Sequence, residues 1–296
     1  MKKRHLFLAV FLMLITSVTA YNVEVGTYLV NLDRFDEYTG TFLVDFWLTL
    51  KCDYNCSIDE FVFVNGADMK HRLAYQDENI KSYIVEASLS TPINMQKYPF
   101  DKQRLFFIIE HGQLPTSKLR MSPLKEYTAV DTRVNLPGWQ IGNHSSEVVN
   151  HYYQGWNDYW ASYVFEVEVI RPKLDGFIKN ILPILFLALI LMFTYILDVN
   201  RLDLRLGITG SIIVALVVMN LTLTDQMPSF GYTTFIDKFI LLTYGIALAA
   251  FFTNITLIHL QHERKNKFVN KLNNALRYAL PLLIIAAYAL LFYFFI

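Results

Sequence analysis

The sequence predicts an exported, Ig-like β-sandwich over residues 21–175, followed by a four-helix transmembrane domain over residues 176–296. Three observations predict it. The C-terminal part holds four apolar segments, each near the ~20 residues that cross a bilayer core. The N-terminal part is a series of short stretches of strand composition punctuated by Gly and Pro, without a long helical period. The extreme N-terminus has the pattern of a secretory leader, which sends the β part out of the cytoplasm. Composition agrees, with 54% hydrophobic and 15% aromatic residues. Lys plus Arg balances Asp plus Glu at 26 each, so no excess positive charge calls for a nucleic-acid partner.

Lys2, Lys3 and Arg4 form a basic start, Leu6 to Ile15 an apolar run, and Val18-Thr19-Ala20 a small-residue cleavage site. Residues 1–20 are therefore expected to be a signal peptide, with the mature chain beginning at Tyr21. Strands are expected at Thr41–Leu50, Phe61–Val64, Ser82–Leu89, Gln103–Ile109 and Tyr163–Ile170, the last with clear alternation around Glu166 and Glu168. Cys52 and Cys56 are the two cysteines. In an exported domain they are expected to be bridged, although the short loop makes the geometry demanding. A metal site would need further ligands, and no His lies near them in sequence.

Spans are expected at Phe177–Leu197, Leu204–Thr224, Phe235–Ile258 and Tyr278–Ile296, with a linker at His259–Arg277. That linker carries Arg264, Lys265, Lys267, Lys271 and Arg277 against Glu263, and the first turn carries Arg201 and Arg205. The connection Asp225–Thr234 has neither Lys nor Arg. The positive-inside rule puts the linker and the first turn in the cytoplasm and the C-terminus outside, in agreement with the leader.

The second span carries the chemistry. Asp203, Gly207, Ser211, Val214, Val218, Leu221 and Asp225 follow one another at steps of three or four residues and fall on one helical face. The stripe is acidic at both ends, small and hydroxylated near its start, and aliphatic in the middle. A membrane helix with such a stripe is suited to line water, with charged mouths and an apolar constriction. Asn200-x-x-Asp203 also resembles a capping box, but capping does not predict Asp225. Arg205, two positions from Asp203, points to another face, toward an interface or the cytoplasm.

The combination resembles the pentameric ligand-gated ion channels. Tyr98-Pro99-Phe100-Asp101-Lys102-Gln103 is similar to that family's aromatic-Pro-Phe-Asp-x-Gln signature. Arg171 and Pro183 keep the family's spacing between its pre-membrane arginine and first-span proline, and Pro228 stands at its coupling-loop proline. Trp47-Leu48 and Gly138-Trp139 match further pairs. The resemblance covers Val23 to the C-terminus. Thr91 and Leu105 stand where the Cys loop of animal receptors has its cysteines, and the last linker is short, as in bacterial members. Cys52 replaces the Trp of the family's Trp-x-Asp region, and the segment from there to Phe61 is shortened.

The resemblance implies a homopentamer in a bacterial inner membrane, gated by a small-molecule or proton agonist and conducting monovalent cations, since acids at the place of Asp203 mark cation-conducting members. Asp203 and Asp225 are the selectivity candidates. The ligand candidates are Tyr152, Tyr153, Trp156, Tyr159 and Trp160, with Trp47 facing them from a neighbouring subunit and Glu110 behind. Aromatic walls with a carboxylate suit an amine cation. His111, His144 and His151 are the proton candidates. Glu37, Asp101 and Arg171, with Pro228, are the coupling candidates, in which an Arg between two carboxylates joins the two domains. No cofactor is expected. No nucleophile–base motif, metal spacing or phosphate loop points to an enzyme. The alternative is a non-conducting, solute-sensing membrane receptor of the same architecture.

Overall fold

The computed structural model describes residues 20–225, 227–263 and 265–295. The expected signal peptide lies outside the described residues except for Ala20, as do Arg264 and Ile296. The N-terminal region folds into two sheets. The first orders β4 (Gly66–Gln76), β5 (Ile80–Ser90), β2 (Thr41–Cys52), β1 (Tyr21–Asp36) and β7 (Leu119–Pro123), with β8 (Ala129–Val130) also on β1. The second orders β3 (Phe61–Phe63), β6 (Lys102–His111), β10 (Asp158–Ile170) and β9 (Gln140–Tyr153).

The period-2 pattern of the sequence explains how the sheets meet. On β2, Phe42, Val44, Phe46, Leu48 and Leu50 are buried, as alternate residues on one pleated face must be. On β10 Ala161, Tyr163, Phe165, Val167 and Val169 are buried on one face. These faces share one apolar core, in which Phe46 stacks on Phe107 at 4.7 Å and Phe107 on Phe165 at 5.0 Å. Glu166 and Glu168 point the other way and pair with Arg104 and Lys102.

Four helices follow that are long and apolar enough to cross a membrane: α1 (Lys173–Thr194), α2 (Leu202–Asp225), α3 (Phe235–His262) and α4 (Asn266–Phe295). Helix α1 starts four residues before the expected span and ends before Leu197. Just ahead of Pro183 it widens into a π turn over Phe177–Ile181. Pro183 brings no N–H and crowds the carbonyl four residues back, which a wider turn relieves.

Two expectations are corrected. The linker expected over 259–277 is mostly helix: α3 runs to His262 and α4 begins at Asn266. Val269, Leu272, Asn273 and Leu276 recur at helical spacing, and Val269 packs on Leu202 and Leu257 at the base of the bundle. Arg205 faces neither an interface nor the cytoplasm. It lies in the first turn of α2 and is wholly buried in its own bundle. There it donates to Asn273 Oδ1 at 2.7 Å and to the Leu197 carbonyl, beneath the Tyr195 ring. With the Asp203 stripe facing outward, a residue two positions on is turned about 200° and must enter the bundle.

Candidate functional site

Helix α2 presents its seven-residue stripe away from the other three helices. Asp203, Gly207, Ser211, Val214, Val218, Leu221 and Asp225 are all exposed, whereas Leu202, Arg205, Thr209, Ile212, Leu216 and Leu223 on the opposite side are buried. The three aliphatic members are 64%, 58% and 58% exposed, values foreign to packing residues of a bundle. Ser211 donates to the Gly207 carbonyl one turn back at 3.0 Å, which leaves its oxygen lone pairs facing outward. The Asn200-x-x-Asp203 capping box does not form. Asp198 instead caps the turn that leads into α2, accepting from the Asn200 N–H at 3.0 Å. Among the described residues the carboxylates of Asp203 and Asp225 have no hydrogen-bond or ion-pair partner.

At the junction of the two regions the three coupling candidates meet. Arg171, just after β10, donates from Nε to Asp101 Oδ1 at 2.7 Å and from its two terminal nitrogens to Glu37 at 3.3 and 2.5 Å. Its guanidinium lies 4.4 Å from the Trp139 ring centre and 4.9 Å from that of Tyr98. Burial works against the charge on Arg171, but the hydrogen bonds and charges of Asp101 and Glu37 hold its pKa above the ordinary arginine value. The spacing of the signature is explained by Gln103. Its amide donates to Asp101 Oδ2 at 2.7 Å and to the Asn94 carbonyl at 2.9 Å, and it accepts from the Asn94 N–H. One side chain thus orients the carboxylate and closes the loop. That loop grips the helices: the Tyr98 hydroxyl donates to Asn180 of α1 at 3.2 Å, and the carbonyls of Gln96 and Tyr98 accept from the first N–H groups of α3. Pro228 lines a 320 Å³ recess here with Tyr38, Phe230 and Tyr232, and the Tyr232 hydroxyl accepts from the Met95 N–H.

The ligand candidates divide into two groups. Tyr153, Trp156 and Trp160 cluster at the β9–β10 hairpin with ring centres 5.1–5.6 Å apart, and Tyr152 packs on Tyr159 at 5.1 Å. Trp47 lies on the other sheet, in a 630 Å³ groove with Tyr28, Tyr75 and Tyr127. The last three were not singled out by sequence. Tyr28 is the cross-strand partner of Trp47 in the β1–β2 register, a relation hidden until the strands are paired.

Glu110 lies behind the hairpin aromatics, on strand β6 rather than on a loop. It is buried, and its two oxygens accept from Ser162 at 2.6 Å and Tyr153 at 2.8 Å, so it is a buried anchor for Tyr153. Burial, then the bond to Glu110, push the Tyr153 phenol up to about 12. His111 is likewise enclosed. Its Nδ1 accepts from the N–H groups of Gln113 and Leu114, and Nε2 lies 3.3 Å from Glu60. His144 and His151 are exposed, the latter stacked on Tyr153.

Cys52 and Cys56 are joined, with Sγ atoms 2.02 Å and Cα atoms 6.2 Å apart. Replacing both by Ser is expected to cost about 2 kcal/mol, because the closed loop is short. Thermal unfolding checks this, and mass spectrometry of unreduced peptides showing two free thiols would refute the bond itself. No family model matches this chain, and its sequence finds no match among curated proteins.

Proposed function

We propose that the chain is the subunit of a homopentameric, ligand-gated, cation-conducting channel of a bacterial inner membrane, with α2 lining the pore. The observation that carries this is the stripe on α2: seven polar-ended residues are turned away from the helix bundle while the opposite face is packed. Five copies around an axis convert each member into a ring. Asp203 then forms a carboxylate ring at the cytoplasmic mouth and Asp225 one at the outer mouth, both attracting cations. The β-rich part is an Ig-like sandwich on the outer side, and the C-terminus ends on that side too.

The resemblance to pentameric ligand-gated channels supplies the route from ligand to pore. A small cationic agonist held between the hairpin aromatics of one subunit and the Trp47 groove of the next would shift the hairpin. Arg171 directly follows strand β10, so the movement arrives where Glu37, Asp101 and the Pro228 connection meet the helices. A contact with different strength in the closed and open arrangements is what lets binding bias the pore. No cofactor enters this scheme.

Currents through the purified protein in planar bilayers, under a salt gradient and across an amine panel and a pH series, test the proposal. Asp203→Asn is expected to shift the reversal potential toward zero, because a narrow mouth screens charge poorly. Asp225→Asn is expected mainly to lower conductance at low salt, where a wide mouth still concentrates cations. An unmoved reversal potential in Asp203→Asn would refute the selectivity ring. Absence of current under every condition would favour the solute-sensing receptor.

A further inference from the structure

A polar spot interrupts the apolar core between the two sheets. Along β1, Val25, Thr27 and Leu29 point inward and are wholly buried, while Tyr28 points out into the Trp47 groove. Thr27 therefore places a hydroxyl where its neighbours place only methyls. Tyr163 of β10 is wholly buried too. Ser146 of β9 is the cross-strand partner of Phe165, two residues further along β10, so it faces the same core. A fourth hydroxyl, Thr128, ends the short helical turn Lys125–Tyr127. Its Oγ1 donates to the Leu124 carbonyl at 2.8 Å and accepts from the Thr27 N–H at 3.4 Å. The turn presses on β1: a side-chain carbon added at Gly26 would stand 2.7 Å from Tyr127 Cβ. Burial raises the pKa of the Tyr163 phenol, and the hydroxyls of Thr27, Thr128 and Ser146 pull it back, so all three stand close to it. Yet Tyr163 Oη and Thr27 Oγ1 have no hydrogen-bond partner among the described residues. A buried hydroxyl left unpaired is costly.

We propose that these four hydroxyls bind one internal water molecule, which fastens the turn Lys125–Tyr127 to β9 and β10. The proton count selects water. Thr128 has spent its proton on the Leu124 carbonyl and offers only a lone pair. Tyr163 and Thr27 hold protons with no acceptor, and Ser146 can take a second proton from the ligand. A ligand here accepts twice, from Tyr163 and Thr27, and donates twice, to Thr128 and Ser146. A halide cannot donate and an ammonium ion cannot accept, whereas water does both. Internal waters make about three such bonds to groups otherwise left unpaired. The turn carries Glu126 and Tyr127, two walls of the Trp47 groove, so the water stiffens that groove from behind. The site rests on the packing of the two sheets and stands whether the protein is a channel or a receptor.

The test uses the full chain in detergent. A density map fine enough to show ordered water should hold a peak about 2.7–3.0 Å from both Tyr163 Oη and Thr27 Oγ1. Tyr163→Phe and Thr27→Val keep the shape of the core and remove one bond each. Each is expected to lower the melting temperature by about 2–4 °C. The pair should lower it by less than the sum, because both act through one molecule. Amide hydrogen exchange over residues 124–128 should quicken severalfold in Tyr163→Phe. A dry cluster predicts the opposite sign, since deleting an unpaired hydroxyl from the core would raise the melting temperature. That rise, strict additivity of the two changes, or unchanged exchange in the turn would overturn the proposal. So would a map in which Tyr163 and Thr27 bond each other directly. Should a variant fail to fold, the map of the unmodified protein decides: the peak supports the water, and direct contact of the hydroxyls refutes it.

Discussion

Arg171→Met is expected to destabilise the protein by about 3–5 kcal/mol, the penalty for removing one partner of a buried charge pair. The reason lies in the partner left behind. The Asp101 side chain is 1% exposed, so its charge can find water only if the loop opens. Glu37 is 32% exposed and can rehydrate, so it adds less. The stacking of Arg171 on Trp139 and Tyr98 would survive in part with Met, which isolates the charge. Arg171→Lys should recover only part of the loss, because one ammonium cannot serve Nε and two terminal nitrogens at once. The deciding measurement is a double-mutant cycle by thermal unfolding in detergent. Arg171→Met combined with Asp101→Asn should be markedly less unstable than the sum of the two changes. Simple additivity would mean that Arg171 acts by packing alone. Under the channel proposal the single variant should also lose agonist response, since this contact joins the hairpin, the signature loop and the helices.

The meeting of these three charges is implied by the family resemblance, in which Asp101 stands in the signature and Arg171 at a fixed spacing from Pro183, while Glu37 is carried over as an acid of the first hairpin loop. The four helices, whose apolar runs exceed what any strand needs, and the outward stripe of α2 could be anticipated from the residues themselves. Elsewhere the chain was opaque for identifiable reasons. Strand β1 went unseen because register shifts between Leu29 and Asn31 and between Leu32 and Arg34 break its alternation. Strands β4 and β9 are largely exposed edge strands, so they carry little apolar pattern and are placed by pairing with β5 and β10. The segment over 259–277 reads as a linker if only its Lys and Arg residues are weighed. Its helical character is in the recurrence of Val269, Leu272, Asn273 and Leu276 at helical spacing. The inward direction of Arg205 follows from helical periodicity once Asp203 faces outward, but its partners do not. A guanidinium held by an Asn and a carbonyl needs tertiary partners, and these come from α4 and from the end of α1. Glu110 is the same case: Ser162 lies opposite it on β10, and nothing in sequence joins them before the sheet forms.

Under the channel proposal, Val218→Ser is expected to open the pore without agonist. Val214, Val218 and Leu221 are the apolar middle of a stripe whose ends are acidic, and a narrow apolar ring closes by excluding water without needing to touch across the axis. Exchanging valine for serine changes the cost of wetting by on the order of 1 kcal/mol per side chain. In a ring of five the changes act together, on the order of 5 kcal/mol. Moving an equilibrium from 1:99 to 99:1 takes about 5.5 kcal/mol, so one substitution suffices to carry a resting channel most of the way. Val214→Ser should act in the same direction. The control is Leu216, on the same helix but wholly buried among the other spans. Leu216→Ala should cost about 2–5 kcal/mol of stability through the cavity it leaves, with no unliganded current from whatever protein assembles. The two measurements separate the faces of α2: current without agonist from the outward substitutions, a lowered melting temperature from the inward one. If Val218→Ser and Val214→Ser both gated as the unmodified protein does, the constriction would have to be formed by other residues, and the exposed aliphatic stripe would be left as a surface for a neighbouring helix.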